Sequence, residues 1–162
     1  MHTAWHISFP LDVALLGFGT VGRAVAEILC RTPRPELRLS CVFNRKVERK
    51  HAHSVPDAVQ WTENFADVVA SNANIVVELI GGLNPAHEFI RRALLSGKSA
   101  VTANKHVIAK HGMELFALAR QVGQRLEYGA SVGGGAPILA ALQHGLSGDR
   151  RFRACGILNG NL

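Results

Sequence analysis

The fold is decided by the stretch Asp12-Val-Ala-Leu-Leu-Gly-Phe-Gly-Thr-Val-Gly-Arg-Ala-Val-Ala-Glu-Ile-Leu29. Its first part, Val13 to Leu16, is a short apolar run typical of a buried strand, and its last part has apolar residues at helical spacing. Between them lies the Gly-x-Gly-x-x-Gly run Gly17-Phe18-Gly19-Thr20-Val21-Gly22. A strand, a tight turn and a helix in this order predict a dinucleotide-binding unit.

Each glycine of this run has its own expected role. Gly17 allows a sharp turn, Gly19 lets a diphosphate approach the backbone, and Gly22 lets the helix pack closely on the strand. The N–H groups of the first helical turn have no partner within the helix, and the helix dipole adds an attraction for anions. A glycine-rich turn that binds nothing is the alternative, but the flanking strand and helix favour a binding site.

Length and composition indicate one compact domain. The chain has 162 residues, of which 48% are hydrophobic and 19% charged, as is typical of a soluble globular protein. No apolar run approaches the ~20 residues that span a membrane, and residues 1–10 do not resemble a secretory signal. Cys30, Cys41 and Cys155 are odd in number and far apart, which favours reduced core residues in a cytoplasmic protein.

The formal net charge of +6 is largely local. Four basic residues lie within six positions, at Arg45, Lys46, Arg49 and Lys50. A solvated basic loop or a phosphate site explains such a cluster better than a nucleic-acid interface, because no aromatic platform or recognition-helix pattern accompanies it. We therefore expect neither a nucleic-acid nor a membrane partner.

The basic cluster follows a second predicted strand, Leu37 to Phe43. The end of this strand lies about 20 residues beyond the glycine run, where an NAD-specific site usually carries an acidic residue for the ribose 2′-hydroxyl. This chain has Asn44, Arg45 and Lys46 instead, a set suited to a 2′-phosphate. The sequence predicts NADP as the cofactor, with NAD as the alternative.

Strands and helices alternate along the rest of the chain. Further strands are predicted at 75–80, 99–102, 125–128 and 152–158, and helices after Asn64 or Glu63, after Pro85, at about 112–122 and through 146. Residues 47–62 show no clear pattern. The alternation predicts an α/β fold, a Rossmann-like, doubly wound and mostly parallel sheet.

In such a sheet, ligands bind in the crevice at the carboxyl ends of the strands. The glycine run, Gly81-Gly82, Lys105 and the segment 131–135 all follow predicted strands. We expect these four segments to meet at one edge.

Together these segments resemble the N-terminal half of homoserine dehydrogenase. The resemblance rests on the glycine run and on Val76-Val-Glu-Leu-Ile-Gly-Gly82, Gly97-Lys-Ser-Ala-Val-Thr-Ala-Asn-Lys105, Tyr128-Gly-Ala-Ser-Val-Gly-Gly-Gly-Ala-Pro137 and Gly156-Ile-Leu-Asn-Gly160. The glycine run is shared by many enzymes, whereas the Thr-Ala-Asn-Lys and Ser-Val-Gly-Gly-Gly blocks are much more specific. The family interconverts L-homoserine and L-aspartate 4-semialdehyde by NAD(P)-dependent hydride transfer, in threonine and methionine biosynthesis.

The resemblance assigns roles to individual residues. It implies that the glycine run, with Phe18, Thr20 and Val21, binds the cofactor diphosphate. Gly81 is expected to contact the cofactor because the pair Gly81-Gly82 permits close approach of backbone and ligand at the end of its strand. Arg45, with Lys46 beside it, would bind the 2′-phosphate. Lys105 would lie near the nicotinamide and the reacting carbon, where an ammonium can stabilise the charge that develops on the aldehyde oxygen.

The last blocks imply a cation loop and a second domain. Backbone carbonyls of Val132, Gly134 and Ala136 would hold a monovalent cation such as Na⁺, although Gly129 replaces a family glutamate that would supply a further oxygen. Asn159 and Gly160 would line the substrate pocket. We expect a cofactor domain over 1–146 and, over 147–162, only the start of a catalytic and substrate domain, with a homodimer as the expected assembly.

Two alternatives stay open. One is a non-catalytic NAD(P)-binding module derived from this family, and the other is a different oxidoreductase on the same scaffold. Turnover of homoserine distinguishes the leading interpretation from both.

Overall fold

The computed structural model describes residues 10–31, 36–46 and 55–132. These residues form a six-stranded parallel sheet in the order β3-β2-β1-β4-β5-β6, which confirms the predicted Rossmann-like fold. The strands are β1 Leu11–Leu16, β2 Leu37–Phe43, β3 Gln60–Thr62, β4 Ile75–Glu78, β5 Ser99–Thr102 and β6 Leu126–Glu127. The helices are α1 Thr20–Arg31, α2 Phe65–Ala70, α3 Ala86–Leu95 and α4 Lys105–Gln121, and a 3₁₀ turn covers Gly129–Ser131.

The sheet is covered on both faces because apolar residues point alternately to either side. Val13 and Leu15 of β1 pack with Ala26 of α1, whereas Ala14 and Leu16 pack with the α2 side of the sheet. Helices α3 and α4 pack together over β5 and β6. This alternation explains why a continuous apolar run, with no polar face, forms the central strand.

Most predicted elements within the described residues agree with the structure, and two differ; the predicted helix through 146 and strand 152–158 lie outside the described residues. The edge strand β3 falls in the stretch for which no element was predicted; it is three residues long and pairs with Cys41–Phe43 of β2. The prediction that a helix begins at about Gly112 was wrong, since α4 begins at Lys105. Its start is fixed by Asn104, whose side-chain oxygen accepts hydrogen bonds from the N–H groups of His106 and Val107.

Strand order places a switch point beside β1. The chain moves outward from β1 to β2 and β3 on one side, then crosses to β4 and continues to β5 and β6 on the other. The carboxyl ends of β1 and β4 therefore border one crevice, where doubly wound folds bind their ligands. No helix in the described ranges is long and apolar enough to cross a bilayer.

Candidate functional site

The glycine turn packs tightly against its neighbours. Gly17 has φ +99°, and a Cβ at this position would lie 3.0 Å from the carbonyl oxygen of Leu79. A Cβ at Gly22 would lie 2.2 Å from the carbonyl oxygen of Gly17. Both positions therefore require glycine for structural reasons, as expected of a sharp turn with a closely packed helix.

The middle of the turn faces open space. A Cβ at Gly19 would meet no atom within 4 Å, and Thr20 and Val21 at the start of α1 are exposed. The Phe18 side chain points the other way: it is 1% exposed and packs edge-on against Trp61, with ring centroids 4.8 Å apart. Only the backbone of Phe18 is therefore available to a ligand, and the exposed Gly19 leaves room for a ligand to approach the chain.

A crevice of about 350 Å³ opens in front of this turn. It brings together residues that follow three neighbouring strands, β1, β2 and β4. The lining residues are Gly17, Phe18, Gly19, Phe43, Asn44, Arg45, Lys46, Leu79 and Ile80. Arg45 and Lys46 are exposed, and none of the lining residues is acidic. The crevice is suited to a phosphorylated, negatively charged ligand.

Asn44 lines the crevice but is already held by hydrogen bonds within the chain. It was expected to join Arg45 and Lys46 in phosphate binding, but it is only 8% exposed. Its side-chain oxygen accepts a hydrogen bond from Phe18 N–H at 3.3 Å, and its Nδ2 donates to the carbonyl of Lys46 at 3.1 Å. Asn44 therefore ties the basic loop to the glycine turn.

A buried polar network organises the next part of the edge. Glu78, fully buried at the end of β4, accepts hydrogen bonds from the N–H groups of Ile80 at 2.8 Å and Gly81 at 3.2 Å. Its other oxygen accepts from the Thr102 hydroxyl at 2.6 Å, and that hydroxyl accepts from Asn104 N–H at 3.0 Å. No local sequence pattern predicts the contact of Glu78 with Thr102, because it joins residues 24 positions apart.

The same network places Lys105. The Asn104 side chain donates to the carbonyl of Gly82 at 2.6 Å while it caps α4. A smaller cavity of about 170 Å³, lined by Val21, Glu78, Leu79, Gly81, Ala103 and Asn104, shares Leu79 with the first crevice. Lys105 follows Asn104 directly and is exposed, and its side chain forms no hydrogen bond or ion pair with any described residue.

The expected cation loop is described only in part. Val132 closes the 3₁₀ turn, and its N–H donates to the carbonyl of Gly129 at 3.2 Å. Gly134 and Ala136 lie outside the described residues, as do the expected substrate residues Asn159 and Gly160 and the expected second domain at 147–162. These assignments stay predictions.

A cavity of about 680 Å³ lies near the opposite edge of the sheet. Its walls include Asn74 and Ser99 at strand starts and Gly97 and Gly123 at helix ends. It is larger than the crevice at the glycine turn, but its lining includes no helix N-terminus and lies mainly at the amino ends of the strands. We place the candidate site at the glycine turn for this reason.

The strand order, the switch-point crevice and the glycine turn define a dinucleotide-binding α/β domain. Comparison with known families identifies it further: residues 17–129 match the model described as "Homoserine dehydrogenase, NAD binding domain". The chain belongs to the homoserine dehydrogenase family, as the sequence resemblance predicted.

Relatives and solved structures agree with this assignment. Homoserine dehydrogenase of Synechocystis is 40% identical over 155 residues and that of Neisseria gonorrhoeae 36% over 158, in each case over 93% of this chain. The chain spans about a third of these relatives, 36% of their length. The crystal structure of a Thiobacillus denitrificans homoserine dehydrogenase has a TM-score of 0.78 and 40% identity, covering 87% of this chain and 34% of that one. A hyperthermophilic archaeal homoserine dehydrogenase in complex with NADPH has a TM-score of 0.68 and 28% identity, covering 82% of this chain and 47% of that one.

Proposed function

We propose that this chain is the cofactor-binding part of an NADP-preferring homoserine dehydrogenase. The observation that carries the proposal is the acid-free crevice in which Arg45 and Lys46 border an open Gly19. A homoserine dehydrogenase of similar fold is in complex with NADPH, which supports the same cofactor here. Interconversion of L-homoserine and L-aspartate 4-semialdehyde, in cytoplasmic threonine and methionine biosynthesis, is the reaction that family membership supports.

The residues present fit the cofactor. Gly19, Thr20 and Val21 would hold the diphosphate at the start of α1, where backbone N–H groups are unpaired within the helix. Arg45 and Lys46 would hold the 2′-phosphate. Gly81 would contact the part of the cofactor that enters the smaller cavity, which shares Leu79 with the crevice. When bound, NADP(H) supplies or accepts the hydride.

The chain's own contribution to the reaction centres on Lys105. Its ammonium, at the first position of α4, would stabilise the negative charge that the aldehyde oxygen gains during reduction. Hydrogen bonds of Glu78, Thr102 and Asn104 hold the backbone before Lys105. Asn159 and Gly160 are proposed to contact the substrate, and carbonyls of Val132, Gly134 and Ala136 to hold a monovalent cation.

Cofactor preference is tested by titrating NADPH and NADH against the wild type and Arg45→Ala. A charged hydrogen bond contributes about 1.5–3 kcal/mol, so we expect NADPH affinity to fall by roughly 10- to 150-fold while NADH affinity changes little. Arg120→Ala, at an exposed arginine in the last turn of α4, is the matched control. A loss of NADPH affinity below tenfold, or an equal loss in the control, contradicts the placement of Arg45.

Catalysis is tested with L-homoserine and NADP⁺, using the chain alone and with the remaining part of a relative supplied in trans. Production of NADPH supports the proposed reaction. NADPH binding without turnover in either mixture identifies a non-catalytic cofactor-binding module instead. Light scattering on the same samples tests the predicted homodimer.

A further inference from the structure

We propose that His87, His111 and Glu114 form a binding site for a divalent transition-metal ion, with Zn²⁺ as the best match. His87 is the second residue of α3, and His111 and Glu114 lie one turn apart on α4. None of the three residues lines either cavity at the glycine turn. The site would join the two helices and does not depend on the proposed enzymatic function.

The distances between ligand atoms suit one small ion. His87 Nε2 lies 3.5 Å from Glu114 Oε1, and His111 Nδ1 lies 3.4 Å from Glu114 Oε2. One ligand atom from each residue can be chosen so that all three lie within 4.8 Å of one another. Zinc binds imidazole nitrogen at about 2.0–2.1 Å, which places two tetrahedral ligands ~3.4 Å apart.

The buried nitrogen of His87 gives independent support. The His87 side chain is only 18% exposed, and its Nε2 has no hydrogen-bond partner among the described residues. Glu114 is within ion-pair distance, but the two atoms do not have hydrogen-bonding geometry. An unsatisfied buried polar group destabilises the folded state, and coordination of a metal ion would remove that cost.

The two imidazole rings are already adjacent. Their centroids are 3.9 Å apart and their planes differ by 19°. Rotation about χ2, a broad torsion for histidine, would direct both nitrogens toward the carboxylate. Two imidazoles and a carboxylate favour zinc over calcium or magnesium, which prefer oxygen ligands, and they leave one coordination position for water.

The test is a titration of ZnSO₄ into chelator-treated protein, followed by calorimetry. The chain contains eight histidines, so the variants are compared by the number of zinc ions bound as well as by affinity. We expect His87→Ala and His111→Ala each to lose one binding event or to weaken it at least ~10-fold, because removal of a residue that only orients a ligand already weakens binding by about that factor. His106→Ala, at an exposed histidine in the first turn of α4, is the matched control and should bind zinc like the wild type.

A second measurement keeps the result independent of folding. Circular dichroism establishes that each variant is folded, and Co²⁺ substitution in the wild type should give the visible absorption bands of a four-coordinate site. Glu114→Gln should retain the fold and weaken zinc binding. Unchanged zinc binding in folded His87→Ala and His111→Ala, or an equal loss in His106→Ala, would overturn the proposal.

Discussion

Replacing Gly22 with alanine tests whether α1 must lie close to the glycine turn. The new Cβ would lie 2.2 Å from the carbonyl oxygen of Gly17 and 3.0 Å from its carbonyl carbon. Both atoms belong to the backbone, so no side-chain rotation relieves the contact. The helix and the turn must separate by roughly 1 Å, a backbone shift of the kind that overpacking forces.

The expected cost follows from two opposing terms. Overpacking typically costs about 1–3 kcal/mol, and contact with rigid backbone argues for the upper end. Alanine is favoured over glycine in a helix by about 1 kcal/mol, which offsets part of this cost. We expect Gly22→Ala to lower the free energy of unfolding by about 2 kcal/mol and, at this chain length, the Tm by roughly 4–8 °C.

Gly19→Ala is the matched control for the fold and the direct probe of the ligand site. Its Cβ would meet no atom within 4 Å, and the φ of Gly19 lies outside the left-handed region. We expect its stability to change by less than about 0.5 kcal/mol. We also expect NADPH affinity to fall at least ~10-fold, because the methyl group occupies the surface that the diphosphate should approach.

Urea denaturation measures the first effect, and fluorescence titration with NADPH measures the second. The pair separates the two functions of the glycine run, since Gly22→Ala acts on stability and Gly19→Ala on binding. Wild-type stability in Gly22→Ala would refute the packing argument. Wild-type NADPH affinity in Gly19→Ala would refute the location of the diphosphate.

Three further predictions concern the sheet and its edge. Burial, with a smaller contribution from Asp67, raises the pKa of the Cys41 thiol from 9.0 to about 11. The free energy of unfolding should therefore fall by roughly 3 kcal/mol as pH rises from about 9 toward 11, because the unfolded thiol ionises more readily than the buried one. Urea unfolding of Cys41→Ala should lack this fall. Glu78→Gln should lower the free energy of unfolding by about 1–3 kcal/mol, because an amide leaves one buried group unsatisfied. Glu127→Gln, at an exposed glutamate, is the control, and equal urea midpoints for the two variants would contradict the role of Glu78. Gly129→Glu restores the family glutamate at a position with free space for its Cβ. If that carboxylate binds Na⁺, the Tm of the variant should rise more with NaCl than with choline chloride. Identical salt responses in the wild type and the variant would count against the cation loop.

Local sequence patterns predicted the elements that have strong signals of their own. Strand β2 begins and ends where predicted, at Leu37 and Phe43, because its apolar residues are bounded by polar ones. Strand β3 was missed because three residues carry too little periodicity, and only pairing with β2 defines it. The start of α4 was not predicted, although Asn104 is a typical N-cap residue.

The candidate site divides in the same way. The glycine run and the basic residues after β2 were visible in the sequence because each is a short contiguous motif. The hydrogen bonds of Glu78 with Thr102 and of Asn44 with Phe18 join distant positions, so no local pattern could reveal them. Sequence therefore located the groups expected to touch a ligand, and the structure added those that hold them in place.

The link through Asn44 has a consequence for redesign of nucleotide selectivity. An aspartate here is the usual way to favour an unphosphorylated ribose. In this chain it would keep the acceptor for Phe18 N–H but place a carboxylate oxygen where Nδ2 now donates to the carbonyl of Lys46, 3.1 Å away. Two oxygens would then face each other, and the loop would move together with the turn to which it is joined. Replacing Asn44 alone with aspartate would thus disturb the loop after β2 and the glycine turn together.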